Sequence, residues 1–426
     1  MSQAAYRAKL ERIEGQTLLP ELQSATADFL RQLAGSYRFT FQELRAAAQA
    51  ARDLEMWNET PLERWWPRAE RQARGEGRER KKRLLRDLET HLGELARAAK
   101  SYPQQAPSGP PRRALRLREK DSSGAVFGRC PAHSEHTVCC GLRTIDAVRG
   151  CPFGCSYCTI QTFYGDTAEL ETEIESKLAE IELDPARLYH VGTGQASDSL
   201  VWGNRGGILD ALLAFASRQT NVVLELKTKS DHVDALLARE IPANVVCSWS
   251  LNTDTVIHHE EHGTPSLEKR LRSARRVADG GHRVGFHLHP MVYYDGWRRE
   301  YRDIADRLLA MFSPSEVAFV SMGSVTFIRP VVKQIRKRGG STKILQMEMV
   351  RDTHGKLTYP DEVKVRLFGH LFDALGEWHD QVFFYLCMEN STIWETVFAA
   401  PAPSSERFEQ IFARHCLGVQ APGRGP

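Results

Sequence analysis

Three cysteines stand at CxxxCxxC spacing in the segment RGCPFGCSYCTIQ, namely Cys151, Cys155 and Cys158. Thiolates are soft ligands, and three of them on one short loop can hold three irons of a [4Fe-4S] cluster, which normally takes four protein ligands. The fourth iron is then open to a cofactor or substrate. A zinc site or three unrelated thiols are the other readings, but zinc loops favour paired CxxC knuckles, so the spacing points to the cluster. The nine cysteines in 426 residues are too few for a disulfide framework in a chain this long, and tight spacing suits metal binding under reducing conditions. Upstream, RCPAHSEHTVCCG carries Cys130, Cys139 and Cys140. Cys130, His133, His136 and Cys139 have zinc spacing, with unliganded structural thiols as the alternative.

Other candidates are spread along the chain. Gly192 and Gly194 in VGTGQ permit close backbone approach to a ligand. Lys229, after LELKT, is placed either to neutralise a ligand's carboxylate or to stand as a solvated charge. Ser250 and Asn252 are two apart on a strand-like run, so they share a face and both can hydrogen-bond a ribose or a carboxylate. Cys247, three before Ser250, falls on the opposite face. Tyr293, Tyr294 and Trp297 in YYDGWRREY are substrate contacts or core.

The elements that must position these residues follow from periodicity. Residues 1–101 repeat apolar positions at helical spacing and predict an α-helical region. Its Trp57, Trp65 and Trp66 fit a helix-packing seam better than a base-stacking surface. A Pro-, Gly- and Arg-rich stretch, 102–123, reads as a linker. From 124 to 340, strand-like runs (LRTIDAV, LYHVGTG, VVLELKT, VVCSWSL, RVGFHLHP, EVAFVSM) alternate with amphipathic helices. That order predicts an α/β fold, a partial (β/α)6-type TIM barrel with its functional residues at the C-terminal strand ends. Residues 341–426 predict a C-terminal α/β extension with strands KILQMEM and VFFYLCM, one last helix after Pro401 and a tail.

The formal net charge of +3 is too small to argue for nucleic acid, so the position of the charges decides. Arg78, Arg80, Lys81, Lys82, Arg83 and Arg86, with Arg112, Arg113, Arg116 and Arg118, form the most basic part of the chain. They read as a phosphate-contacting surface or as a solvated helix face. No run approaches a membrane span and the N-terminus lacks an apolar signal stretch, so the expectation is a cytoplasmic protein without a membrane partner.

CPFGCSYC resembles the signature of radical S-adenosylmethionine (radical SAM) enzymes. The longer pattern, CCGLRTIDAVRGCPFGCSYCTIQTFYG, GTGQASDSL, LELKTKSDHVDALL and SWSLNTDTVIHHEEHGTPSLEKRLRS, is similar to the spore photoproduct lyase family over roughly 141–303. The resemblance implies a radical SAM core and a lyase that reverses a methylene-bridged thymine dimer in DNA. It implies S-adenosylmethionine as cofactor beside the [4Fe-4S] cluster, DNA as partner, and a reductant such as flavodoxin or ferredoxin. Residue by residue, it makes Cys151, Cys155 and Cys158 the cluster ligands and Tyr157 an aromatic beside the cofactor. It also makes Ser197, Lys229, Ser250 and Asn252 positions that hold S-adenosylmethionine. Glu261, Gly263 and Thr264 match the pattern without an assigned role, and Ser266 suits a helix cap.

Two positions depart from the family. A cysteine that returns a hydrogen atom to the product radical is Gln195 here, and the tyrosine after the third cluster cysteine is Thr159. From the extended pattern and the basic segment, the leading expectation is lyase-like radical chemistry on a pyrimidine lesion or another nucleic-acid substrate. Radical modification of a protein or small molecule is the second. A nucleic-acid-binding module with a structural cluster is the third.

Overall fold

The chain is described by a computed structural model over residues 3–104, 115–121, 124–131, 134 and 136–418. Arg112, Arg113, His133 and the tail from 419 lie outside the described residues. Two compact units separate: 1–112 with 293–295 and 327–350, and the remainder. In the first, apolar positions at helical spacing give α1 (Gln3–Ile13), α2 (Ser24–Tyr37), α3 (Phe41–Met56), α4 (Leu62–Gln72) and α5 (Gly77–Arg97). Thr40 and Glu43 cap α3 reciprocally in a capping box. Trp66 is fully buried and packs edge-on against Tyr37, while Trp65 stacks on His91. Trp65 and Trp66 belong to the helix-packing core, while Trp57 is buried outside that cluster.

The second unit begins with β1 (Arg116–Lys120), a strand inside the stretch read as linker, followed by β2 (Phe127–Arg129), β3 (Arg143–Ile145), β4 (Val148–Arg149) and β5 (Gly154–Cys155). Then come α6 (Ile160–Phe163), β6 (Thr167–Glu171), α7 (Ile174–Ala179), β7 (Tyr189–Thr193), α8 (Ile208–Ser217) and β8 (Val222–Thr228). The alternation continues through α9 (Asp234–Leu237), β9 (Val245–Ser250), α10 (Asp254–Glu260), β10 (Glu261–His262), α11 (Leu267–Asp279), β11 (Val284–Met291), α12 (Trp297–Met311) and β12 (Val317–Ser324). α13 (Arg329–Lys337) belongs to the helical unit, where Arg336 pairs with Asp53 at 2.7 Å. Last are α14 (Asp361–Ala374), β13 (Phe383–Leu386), α15 (Ser391–Phe398) and α16 (Ser405–Leu417).

Eight strands form the main sheet in the order β13-β12-β11-β9-β8-β7-β3-β2. Seven run parallel and β2 is antiparallel to β3. The order is open at β13 and β2, as expected of a partial barrel, and β13 adds a parallel strand beyond the six expected units. Strands buried on both faces carry near-continuous apolar runs where helices cover them. Here every second residue is instead polar: Glu225 and Lys227 on β8, Ser248 and Ser250 on β9, and His287 and His289 on β11. These share the inner face, and Phe412 of α16 packs against it, 4.4 Å from the His190 ring and 5.3 Å from Phe319.

One expected strand is absent. KILQMEM is turn, because Lys343 bonds to Glu59 at 2.7 Å and Gln346 bonds to it at 3.1 Å. The anchored polar side chains fold the segment back while Ile344, Leu345 and Met347 are buried within the helical unit.

Candidate active site

The cysteine loop follows β4 and is folded by its own backbone. Gly150 has φ 97°, and a Cβ there would lie 2.8 Å from the Thr167 carbonyl, so only glycine fits without strain. Its N–H donates to Ala196 O at 2.9 Å, and its carbonyl accepts from Ser197 Oγ at 2.7 Å. The loop leading to the triplet is thereby fastened to the loop after β7. Cys155 lies on β5, which pairs antiparallel with β10, and Ser156 N–H donates to Glu260 O at 2.8 Å. Cys158 N–H donates back to Cys155 O at 3.1 Å, and Gln161 on α6 donates to Phe153 O at 2.5 Å.

The three thiols come close enough for their charges to interact. Burial first, then Asp198 and Cys158, pushes Cys151 up to about 12. Burial also raises Cys155 well above its ordinary value, against the nearby Lys229 ammonium. Crowded buried thiols release their protons when a cation takes the electron pairs, which is what a metal cluster does. Among the described residues no three donors already stand in ligating geometry, so the shell would close by side-chain rotation.

Beside the triplet sits a buried clamp. Arg270 Nη2 donates to Glu261 Oε2 and Thr264 Oγ1, both at 2.6 Å, its Nη1 to Ser250 O at 2.9 Å, and its Nε to Pro265 O at 2.9 Å. Tyr157 OH donates to the other oxygen of Glu261. Burial opposes the Glu261 charge, but Arg270, then Lys229 and the tyrosine, hold the carboxyl below its ordinary range. Burial and then Glu261 push Tyr157 well up, so it is a neutral phenol. Lys229 Nζ lies 5.8 Å from the centre of the Tyr157 ring. One guanidinium therefore joins the end of β9, the turn before α11 and the cysteine loop.

The other candidates sort by what they touch. Ser197 and Asn252 are buried and engaged within the protein. Trp202 Nε1 donates to Ser197 Oγ at 2.8 Å. Asn252 donates to Pro290 O at 2.9 Å, and its Oδ1 accepts from Tyr301 OH at 3.0 Å. Lys229 is half-buried, and Ser250 is buried on the same inner face. At Gly194 the backbone itself requires glycine, since a Cβ would lie 2.7 Å from the Lys227 carbonyl; at Gly192 a Cβ would meet the end of the Leu142 side chain at 2.9 Å, which can move aside. Tyr294 and Trp297 are buried, Tyr294 against Tyr102 and Trp297 against His370. Cys247 is buried.

Four contributors were not singled out from sequence. Asp198 accepts from Lys229 N–H at 2.6 Å, Thr228 Oγ1 at 2.7 Å and Val201 N–H at 3.0 Å, fixing the strand end that carries Lys229. Arg270 is the second. Lys227 and His289, both half-buried, are the others; burial and then Lys227 hold the His289 imidazole well below its ordinary value, hence neutral. The alternations ELK and HLH place these last two beside Glu225 and His287 and were the available signal. Beneath them, Glu225 accepts from His190 at 2.7 Å and from His287 at 2.5 Å, with Ser248 also bonded, which closes the inner face with a buried polar network in which His190 Nδ1 is left without a hydrogen-bond partner.

Comparison with known proteins points the same way. The family model for spore photoproduct lyase matches residues 142–367, more than half of the chain. Spore photoproduct lyase of Geobacillus sp. is 26% identical over 215 residues, covering 47% of this chain and 61% of that protein. The Bacillus subtilis protein of that name is 28% identical over 207 residues, covering 46% and 59%. The matches span only 59% to 61% of these curated relatives' own lengths. A solved mutant of spore photoproduct lyase with bound AdoMet and dinucleoside spore photoproduct superposes with a TM-score of 0.54 at 22% identity, over 63% of this chain and 82% of that one. Another mutant, with dinucleoside spore photoproduct, gives 0.55 at 21% identity over 71% and 94%. The structural likeness is one of fold. Among the described residues no helix is long and apolar enough to cross a membrane.

Proposed function

This chain belongs to the spore photoproduct lyase family, and on that premise we propose that it is a radical SAM enzyme acting on a pyrimidine photolesion or another nucleic-acid substrate. The observation that carries the reading is the triplet Cys151, Cys155 and Cys158 on one loop, held against β10 at the strand ends. When bound there, a [4Fe-4S] cluster with one open iron supplies the electron that cleaves S-adenosylmethionine to a 5′-deoxyadenosyl radical; the difficult chemistry is the cofactor's.

The chain's own residues bind, orient and exclude water. The three thiolates hold the cluster and leave one iron for the cofactor. Lys229, with Lys227 behind it, supplies positive charge for the cofactor's carboxylate, and Ser250 offers a hydroxyl to it or to the ribose. Ser197, Asn252, Gly192 and Gly194 shape this pocket through the bonds and close approaches they make within the protein. Tyr157, a neutral phenol held by Glu261 and Arg270, would stand as an aromatic wall beside the cofactor. An electron donor of the flavodoxin or ferredoxin class fits the half-exposed Cys151 and Cys158 side of the loop. On α5, the exposed Arg78, Lys82, Arg83 and Arg86 suit a phosphate backbone, whereas Lys81 is buried in a 2.9 Å pair with Glu43 and Arg80 is tied to Glu70 O.

The test is anaerobic reconstitution with iron, sulfide and S-adenosylmethionine, presenting DNA that carries the methylene-bridged thymine dimer. Both 5′-deoxyadenosine and restored thymine are expected. Formation of neither refutes the reading. A second reading is favoured by Gln195: an amide N–H is a poor hydrogen-atom donor, so the radical acts on a protein or small-molecule substrate. It is supported if 5′-deoxyadenosine forms with such a substrate but no thymine is restored from lesion DNA.

A further inference from the structure

We propose that Cys130, Cys139, Cys140 and Cys387 form a second metal site, four thiolates for zinc or an iron–sulfur cluster, at the seam between the two edges of the open sheet. It is separate from the triplet, shares no residue with it, and does not depend on the reading of the chain as a lyase.

The backbone brings these residues together. Cys130 N–H donates to Leu142 O at 3.0 Å, prolonging the β2–β3 ladder by one step and setting Cys130 beside the segment that carries Cys139 and Cys140. Val138 N–H donates to Glu389 O at 3.0 Å, so that same segment runs along the chain just after β13. Cys387 N–H donates to Met322 O at 2.8 Å, continuing the β13–β12 pairing. By the two-residue period Cys387 shares the inner face with Phe383 and Tyr385. The strands concerned, β2 and β13, are the opposite edges of the sheet.

The thiols of Cys139 and Cys140 hydrogen-bond to each other, and those of Cys139, Cys140 and Cys130 lie within charge-interaction range of Cys387. Among the described residues no three donors already stand in ligating geometry, so a metal would draw these four thiolates together by side-chain rotation. None of the nine cysteines forms a disulfide. Packing alone does not call for four sulfurs in one place, since buried thiols behave as small apolar groups and are interchangeable with them. Four thiolates are the closed donor set of a structural zinc or of an iron–sulfur cluster, and a metal there would join two sheet edges that share no ladder. Lys227 is the nearby cation that lowers the charge cost at Cys387. His136, a ligand by spacing, instead packs its ring 5.1 Å from that of His354, and His133 lies outside the described residues.

The experiment uses the full chain with Cys151, Cys155 and Cys158 all changed to Ala, which removes the first site. The protein is isolated anaerobically, loaded in one arm with zinc and in another with iron and sulfide, then desalted. About one zinc, or about two to four irons with matching sulfide, is expected to remain per chain, with a sulfur-only first shell by X-ray absorption. Adding Cys130→Ser or Cys387→Ser should reduce retained metal by tenfold or more. Far-ultraviolet circular dichroism identifies any variant that fails to fold. A second measurement avoids substitution: in the metal-loaded protein these thiols should resist a thiol reagent until a strong chelator removes the metal. Retention below about a tenth of a metal per chain in both arms, or retention unaffected by the serine changes in folded protein, overturns the proposal.

Discussion

Arg270→Met removes the guanidinium that joins β9, the turn before α11 and the cysteine loop, while methionine retains most of the stem. Both members of the Arg270–Glu261 pair are almost wholly buried. Taking one partner from a buried pair costs about 3–5 kcal/mol, and each carbonyl left without a donor adds up to about 1–3 kcal/mol. Tyr157 still donates to Glu261, and the methionine side chain refills part of the vacated space, so we expect a loss of about 4 kcal/mol. pH supplies a second signature. In the native protein the Glu261 carboxyl is held below its ordinary value. It therefore contributes stability above an unfolded value of about 4.3, which is lost as pH falls through the folded value. Without Arg270, burial dominates and the carboxyl rises above its ordinary value. The folded state then binds the extra proton, so the penalty shrinks as pH falls from about 7 toward about 4.5. Urea unfolding, read by hydrogen exchange at the amides of β9 and β10, measures both effects. A penalty under about 1 kcal/mol at neutral pH, or one that does not shrink on acidification, refutes the clamp.

Gly194→Ala should destabilise the second unit by about 1–3 kcal/mol, because φ is 97° and the added Cβ would lie 2.7 Å from the Lys227 carbonyl; a thermal unfolding midpoint equal to the parent's would contradict this. Burial and then Lys227 press His287 down to about 4, so between an unfolded value near 6.5 and that folded value the unfolded chain binds a proton the native one does not. Stability should fall by about 3 kcal/mol as pH drops through this window, and His287→Gln should flatten the slope of stability against pH. Changing Arg78, Lys82 and Arg86 together to Glu should weaken DNA binding and reduce the slope of log affinity against log salt by about 0.9 per lost phosphate contact, read by fluorescence anisotropy. Since these side chains are exposed, the unfolding free energy of the helical unit should change by no more than about 0.5 kcal/mol per substitution.

Much of the site was legible because its parts are contiguous or periodic. CxxxCxxC needs only one loop, and LELKT and GFHLHP show their inner faces through the two-residue period of a strand. The βα alternation gave the parallel sheet by the same means, and helical spacing gave α1–α5. KILQMEM misled for a complementary reason: its apolar residues are buried as a strand's would be, but Glu59, far away in sequence, binds Lys343 and Gln346 and folds the segment into a turn. The clamp of Arg270, Glu261 and Tyr157, the anchoring of Lys229 by Asp198, the place of β13 at the sheet edge and the meeting of Cys387 with Cys139 and Cys140 have no local signature. Each depends on which distant backbones the sheet sets side by side. Local spacing determines which faces are buried and which ligands share a loop, whereas ion pairs and thiol clusters between elements exist only once tertiary packing has removed water and fixed their distance.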